Sequence, residues 1–168
     1  MNPFELITQL PIDPYHKVAD VGCGDRSYTV HLGKYLAHGK LYALTTNDDM
    51  LPQLETHIAL HKLGNIEILQ FHKHSAAIPD GSMDGVLLAF VMHMDQDKKR
   101  FLKASAKLLK KRGWCCVLEW YRKETPYGPP LKMRIDPHDM ASMGRDAGLT
   151  FLRQRDINGS QYVMLFSL

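Results

Sequence analysis

Short apolar runs alternate with amphipathic segments along nearly the whole chain, and this alternation limits the folds that the chain can adopt. Seven runs have the length and composition of strands: residues 17–21, 40–44, 66–69, 84–90, 114–120, 149–155 and 162–168. Helical patterns cover residues 27–36, 48–63, 95–111 and 136–147. The alternation predicts an α/β fold with a mostly parallel sheet and helices on both faces.

The last two strands are expected to break the parallel pattern. Asn158-Gly159 lies between them, and this dipeptide is typical of a tight β-hairpin. One strand near an edge of the sheet should therefore be antiparallel. No repeat or linker divides the chain, so we expect a single domain over residues 1–168.

The composition narrows the class of protein. The formal net charge is only +3, and the basic stretches 98–100 and 107–112 are interpreted as a solvated helix face, so no nucleic-acid partner is indicated. No apolar run approaches the roughly 20 residues of a membrane span, and the first residues lack a secretion-signal pattern. Three cysteines form no disulfide framework, which favours buried thiols and a cytoplasmic location.

The turn after the first predicted strand is a candidate ligand-binding site. Asp20-Val21-Gly22-Cys23-Gly24 places an acid at the strand end and two glycines before a helix. Glycine permits a tight turn and lets the backbone approach a ligand. In an open α/β sheet, ligands bind outside the carboxyl ends of the strands, where this turn lies.

Several segments of the chain resemble class I S-adenosylmethionine-dependent methyltransferases, in the right order and spacing. Within that family, the chain is similar to the branch that includes the ubiquinone and menaquinone biosynthesis methyltransferases. Asp20 to Gly24 resembles the first motif of that family. The other resembling segments are 42–51, 78–84, 108–113 and 124–130.

The resemblance implies a three-layer, Rossmann-like methyltransferase fold and a cofactor site. The sheet would have seven strands, with the last one antiparallel and inserted between the fifth and sixth. S-adenosylmethionine, or its product S-adenosylhomocysteine, would lie across the ends of the first, second and fourth strands. The positions that match cofactor contacts are Asp20, Gly22, Cys23, Gly24, Thr45, Thr46, Phe71, His72 and Phe90.

Three positions depart from the family pattern. Arg26 replaces a small residue of the first loop, Thr45 replaces the acid that accepts hydrogen bonds from the ribose, and His72 replaces an aspartate that reads the adenine. A threonine hydroxyl cannot accept both ribose hydrogen bonds as a carboxylate does. Asn47 or Asp48 could compensate in part. Two explanations remain: a methyltransferase with altered cofactor contacts whose unknown acceptor is a small molecule or a protein, or a non-catalytic scaffold or binding protein whose cofactor binding is weak or lost.

The remaining candidates concern the acceptor. His93 follows the fourth strand and is the best candidate for a catalytic base, although it could equally position a helix. Glu119, Trp120 and Tyr121 end the fifth strand and could line an acceptor pocket. His57 and His61 lie one helical turn apart but lack a third ligand, so no metal site is predicted. Little chain precedes the first strand, so we expect an open acceptor site, or one completed by a homodimer or a partner subunit.

Overall fold

The computed structural model describes residues 2–23 and 27–168, with the backbone alone at Ser27, and contains five α-helices and seven strands in that part of the chain. The strands are β1 (Lys17–Val21), β2 (Lys40–Thr45), β3 (Ile66–Gln70), β4 (Met83–Ala89), β5 (Leu109–Trp120), β6 (Thr150–Asp156) and β7 (Gln161–Ser167). The helices are α1 (Pro3–Ile7), α2 (Ser27–Tyr35), α3 (Leu51–Leu60), α4 (Lys98–Lys107) and α5 (Pro137–Asp146).

All seven strands form one sheet in the order β3-β2-β1-β4-β5-β7-β6. The first five strands are parallel to their neighbours, whereas β7 is antiparallel to both β5 and β6. The Asn158-Gly159 segment connects β6 to β7, and Gly159 has a φ of +70° there. The predicted fold is confirmed, including the inserted antiparallel strand.

Successive residues of a strand point to opposite faces of the sheet. Both faces carry buried apolar side chains, and helices pack on each of them. Cys115 packs on the face that carries α4 and α5, whereas Cys116 packs on the face that carries α1 and α2. Both thiols are fully buried, and burial raises the pKa of Cys115 to about 12. The two cysteines are therefore protonated core residues. None of the described helices is long and apolar enough to span a membrane.

Two segments differ from the expected pattern. The helix predicted over residues 95–111 ends at Lys107, because Leu109 is buried and pairs with Met83 as the first residue of β5. Strand pairing thus overrides the helical periodicity. Helix α1 was not predicted, although Asn2 and Glu5 form a capping box at its start.

Candidate cofactor site

Three strands bring their carboxyl ends together at one edge of the sheet. β1 pairs in parallel with β2 on one side and with β4 on the other. The helix after β1 packs on one face of the sheet, and the helix after β4 packs on the opposite face. Such a reversal opens a crevice at the carboxyl ends of the strands, which is where open α/β sheets bind ligands.

The first part of this crevice, which we call the inner cleft, has a volume of about 200 Å³. It is lined by Asp20, Gly22, Cys23, Tyr28, Thr29, Ala89, Phe90 and Met94. Asp20 is almost fully buried, and its Oδ2 accepts a hydrogen bond from Thr29 Oγ1 at 2.6 Å. Among the described residues that line the cleft, Asp20 has the one carboxylate and none has a basic side chain, so this lining suits a cationic group.

Phe90 forms one wall of the inner cleft in a strained backbone conformation. Its φ is +55°, a left-handed value that costs a non-glycine residue about 1–2 kcal/mol. The Phe90 N–H donates to Leu118 O at 2.8 Å, and the ring centroid lies 5.8 Å from that of Trp120. Strain of this kind is concentrated at functional sites, where the surrounding structure enforces it.

The glycine turn after β1 is fixed to the end of β2. Gly22 N and Cys23 N both donate to Leu44 O, at 2.7 and 3.2 Å. Gly22 has a φ of +79°, and an added Cβ would lie 2.2 Å from Val91 Cγ2. Cys23 is buried, and desolvation followed by the nearby Asp20 charge raises the pKa of its thiol. The thiol is thus protonated at neutral pH and is no nucleophile.

The positions of Gly24 and Arg26 lie outside the described residues, so their predicted roles stay predictions.

The second part of the crevice, the outer cleft, has a volume of about 490 Å³ and shares Met94 with the inner cleft. It is lined by Thr46, Phe71, His72, Lys73, His74, Met94, Asp95, Gln96, Asp97 and Phe101. Phe71 is buried, with its ring 5.3 Å from that of Phe101, so it both closes the core and forms a wall of the cleft. The fold therefore places Thr46, Phe71 and His72 together.

Thr45 is not among the described residues that line either cleft. It is buried, and its hydroxyl closes a turn by donating to Asn47 O at 2.7 Å and accepting from Asn47 N at 3.1 Å. The nearby acid is Asp48, whose Oδ1 accepts from Gln70 Nε2 at 3.1 Å and lies 3.5 Å from His72 Nε2. A carboxylate is thus held beside His72, three residues beyond the position where the sequence pattern expects one.

His93 and Glu119 form a buried pair where β4 and β5 end. His93 Nδ1 lies 2.9 Å from Glu119 Oε2, and the His93 N–H donates to Glu119 Oε1 at 3.1 Å. The Trp120 N–H donates to Glu119 Oε2 at 3.1 Å. Glu119 is fully buried, and neither Glu119 nor His93 is among the described residues that line the two clefts. The role of His93 as a base stays a prediction.

The loop after β5 is organised by Arg134, a residue that the sequence did not single out. Its buried guanidinium donates to four backbone carbonyls, those of Lys123 at 2.6 Å, Pro129 at 2.8 Å, Tyr127 at 3.1 Å and Tyr121 at 3.5 Å. It also lies over the Trp120 ring, 5.4 Å from the centroid. The Tyr127 ring contacts Trp120 edge-on, so Arg134 fixes an aromatic wall beside Phe90.

We expect Arg134→Lys to loosen this loop, because a single ammonium cannot reach carbonyls that the guanidinium fork reaches together. The free energy of unfolding should fall by about 1–3 kcal/mol. Limited proteolysis with chymotrypsin, read at the exposed Tyr127, should be faster than in the unmodified protein. Arg155→Lys on the exposed strand β6 is the matched control. Equal cleavage rates in the two variants would contradict the role of Arg134.

The strand order defines the class: this is a class I methyltransferase fold, with a crevice where the carboxyl ends of β1, β2 and β4 meet. A family model described as "Methyltransferase domain" matches residues 19–117, which is more than half of the chain. The chain belongs to this family of S-adenosylmethionine-dependent methyltransferases. The predicted cofactor pair, S-adenosylmethionine and S-adenosylhomocysteine, is confirmed at the level of the family.

Individual relatives share only about a quarter of the aligned residues with this chain. The ubiquinone/menaquinone biosynthesis C-methyltransferase of Cronobacter sakazakii is 25% identical over 131 residues, which cover 77% of this chain and 51% of the relative. The demethylmenaquinone methyltransferase of Alkalihalophilus pseudofirmus is 24% identical, with 73% and 52% covered. The chain thus spans about half the length of these relatives. A methyltransferase structure from Aquifex aeolicus has a TM-score of 0.92 at 22% identity, with 99% of this chain and 89% of the other covered.

Proposed function

We propose that this protein transfers a methyl group from S-adenosylmethionine to a small acceptor, with the cofactor lying across the inner and outer clefts. The observation that carries the proposal is the buried Asp20 carboxylate at the end of β1, the one acidic or basic side chain among the described residues that line the inner cleft. The methionine end of the cofactor carries a sulfonium and an ammonium group, and a buried anion attracts such cations strongly.

The outer cleft supplies contacts that suit the adenosyl part. Phe71 offers an aromatic surface, and His72 and Thr46 offer polar atoms beside it. We assign the ribose contact to Asp48 rather than Thr45, because the Thr45 hydroxyl is already used in its own turn. His72 and Gln70 hold the Asp48 carboxylate in place.

The bound cofactor supplies an electrophilic methyl group, so the protein has mainly to orient the acceptor and exclude water. We propose that Phe90, Trp120 and Tyr127 form the surface against which the acceptor packs. His93 is a buried residue held by Glu119, which supports a positioning role for it at the end of β4.

Calorimetric titration tests the proposal with S-adenosylmethionine and S-adenosylhomocysteine. We expect micromolar affinity for both, and Asp20→Asn should weaken binding of the cationic methyl donor because the buried carboxylate of the inner cleft is removed. Absence of heat and of a thermal shift at millimolar ligand would instead favour a scaffold that has lost the cofactor.

A second titration tests Asp48. Asp48→Asn should weaken cofactor binding by about one to two decades, since charge-assisted hydrogen bonds contribute roughly 1.5–3 kcal/mol. Asp49→Asn is the matched control, because Asp49 is an adjacent, exposed acid on the same 3-10 turn. Equal effects of the two substitutions would show that Asp48 makes no specific contact.

A further inference from the structure

A third cleft lies between α4 and the segment that joins β3 to β4, and we call it the α4 cleft. Its volume is about 410 Å³, and its lining lacks Asp20, Gly22 and Phe90. The lining residues are Phe71, Lys73, His74, Ser75, Ala76, Ile78, Asp80, Arg100, Lys103, Ala104, Lys107 and Leu108. A concave site of this size suits a small molecule.

The rim of the α4 cleft is strongly cationic. Arg100, Lys103 and Lys107 recur at helical spacing along one side of α4, and Lys73 faces them from the connecting segment. Within the part of the chain that the structure describes, these four side chains form no ion pair, and Asp80 is the one acid in the lining. Like charges gathered around a concave surface repel one another and attract anions.

Neighbouring lysines behave differently. Lys99 on α4 pairs with Asp146 at 3.1 Å, and Lys110 just beyond the helix pairs with Asp84 at 2.6 Å. Neither Lys99 nor Lys110 lines the α4 cleft, and each has an acidic partner, whereas the four cations that line the cleft form no ion pair among the described residues. The basic stretches that were interpreted from the sequence as a solvated face therefore include a group, Arg100, Lys103 and Lys107, that converges on one cavity.

Lys73 is presented to the cleft by a strained turn. Ser75 N donates to His72 O at 3.0 Å, and the two central residues, Lys73 and His74, have φ values of +50° and +60°. Each left-handed non-glycine residue costs about 1–2 kcal/mol. His74 Nε2 lies 3.1 Å from Asp95 Oδ2, and its ring packs on Phe101, which holds the turn in place.

The floor of the cleft is apolar. Phe71, Ile78 and Leu108 are buried there, and Ala104 is partly buried. An apolar floor below a ring of cations matches an organic anion, with its body on the floor and its charged group at the rim. A single cavity offers no extended basic track of the kind that nucleic acids need.

We propose that the α4 cleft is a binding site for a phosphorylated small molecule, separate from the methyl-transfer site. The phosphoryl oxygens contact Lys73, Arg100, Lys103 and Lys107, and the organic part lies against Phe71 and Ile78. Phe71, Lys73 and His74 line both the α4 cleft and the outer cleft, so the ligand would sit directly beside the cofactor site.

The test uses calorimetry at fixed ionic strength and without metal ions, with inorganic phosphate, pyrophosphate, 1-naphthyl phosphate and uncharged 1-naphthol as probes. We expect 1-naphthyl phosphate and pyrophosphate each to bind at least about tenfold more tightly than inorganic phosphate, a difference of about 1.4 kcal/mol. The naphthol should bind weakly, because it lacks the anion.

A pair of double variants with equal charge change localises the site. Lys103→Gln with Lys107→Gln should weaken binding of 1-naphthyl phosphate by about tenfold or more. Lys34→Gln with Lys132→Gln, two exposed lysines elsewhere, should change it by less than about twofold. Equal weakening by the two pairs would overturn the proposal, since attraction would then come from the overall charge.

Two further results would also overturn the proposal. One is the absence of phosphate-ester binding at millimolar concentration, and the other is tighter binding of a glutamate-rich peptide or an RNA oligonucleotide than of any small phosphate. Affinity for S-adenosylmethionine is measured in the same variants and should be unchanged, because Lys103 and Lys107 line neither the inner nor the outer cleft. A protein that binds S-adenosylmethionine but no phosphate ester would therefore contradict the proposal for the α4 cleft alone, and not the proposed methyltransferase function.

Discussion

Gly22→Ala is expected to destabilise the fold and to abolish cofactor binding. The added methyl group meets Val91 Cγ2 at 2.2 Å, and the left-handed φ of +79° disfavours any side chain. The strain contributes about 1–2 kcal/mol, and the overpacking contributes about 1–3 kcal/mol more. The turn must shift to relieve the clash, and this shift moves the backbone below the inner cleft. Urea denaturation and calorimetry with S-adenosylhomocysteine measure the two effects.

The chain provides a control that separates strain from steric clash. Gly148 has a similar φ of +85° but nothing within 4 Å of an added Cβ, so Gly148→Ala should show the strain alone. Adding Val91→Ala to Gly22→Ala should recover part of the clash contribution when the pair is compared with Val91→Ala alone, because the Cβ that alanine keeps would still lie 2.7 Å from the added methyl group. If Gly148→Ala is as destabilising as Gly22→Ala, contact with Val91 is not what requires glycine at the turn.

Most of the sheet could be predicted from the sequence because the local pattern of each strand agrees with the pairing that the strand makes in the fold. The nearly all apolar run of β4 and the Asn158-Gly159 turn of the β6–β7 hairpin each have a pattern that few other structures satisfy. The end of α4 was predicted wrongly, since the pairing of Leu109 with Met83 depends on a strand 26 positions earlier in the sequence. Periodicity within a window does not contain that information.

The candidate site was only partly predictable for a similar reason. The resemblance to a family located Asp20, Gly22 and Phe71, because strand ends and glycine turns have fixed places in the motif order. It could not show that the Thr45 hydroxyl closes its own turn, or that Arg134 holds a loop through carbonyl groups. Backbone acceptors have no sequence signature, so contacts to them become visible only in the structure.

Glu119→Ala should be the most destabilising substitution among the polar residues near the site. The Glu119 carboxylate accepts from the His93 and Trp120 N–H groups and faces His93 Nδ1, so its removal leaves buried donors without an acceptor. Breaking a buried polar pair in this way costs about 3–5 kcal/mol. The ends of β4 and β5 should separate, and the strained turn at Phe90 should relax. Urea denaturation measures the first effect, and calorimetry with S-adenosylhomocysteine measures the second as lost affinity.

A double-mutant cycle with His93→Ala determines how much of this loss belongs to the pair. Glu119 also serves two backbone N–H groups, so Glu119→Ala should remain more destabilising than His93→Ala. The combined variant should be less destabilised than the sum of the single variants, with a coupling energy of about 0.5–3 kcal/mol. Glu119→Gln keeps the side-chain volume and one carbonyl acceptor, so it should retain more stability than Glu119→Ala. Strict additivity in the cycle would mean that His93 and Glu119 act independently, and the imidazole would then be free for the catalytic role that its position after β4 first suggested.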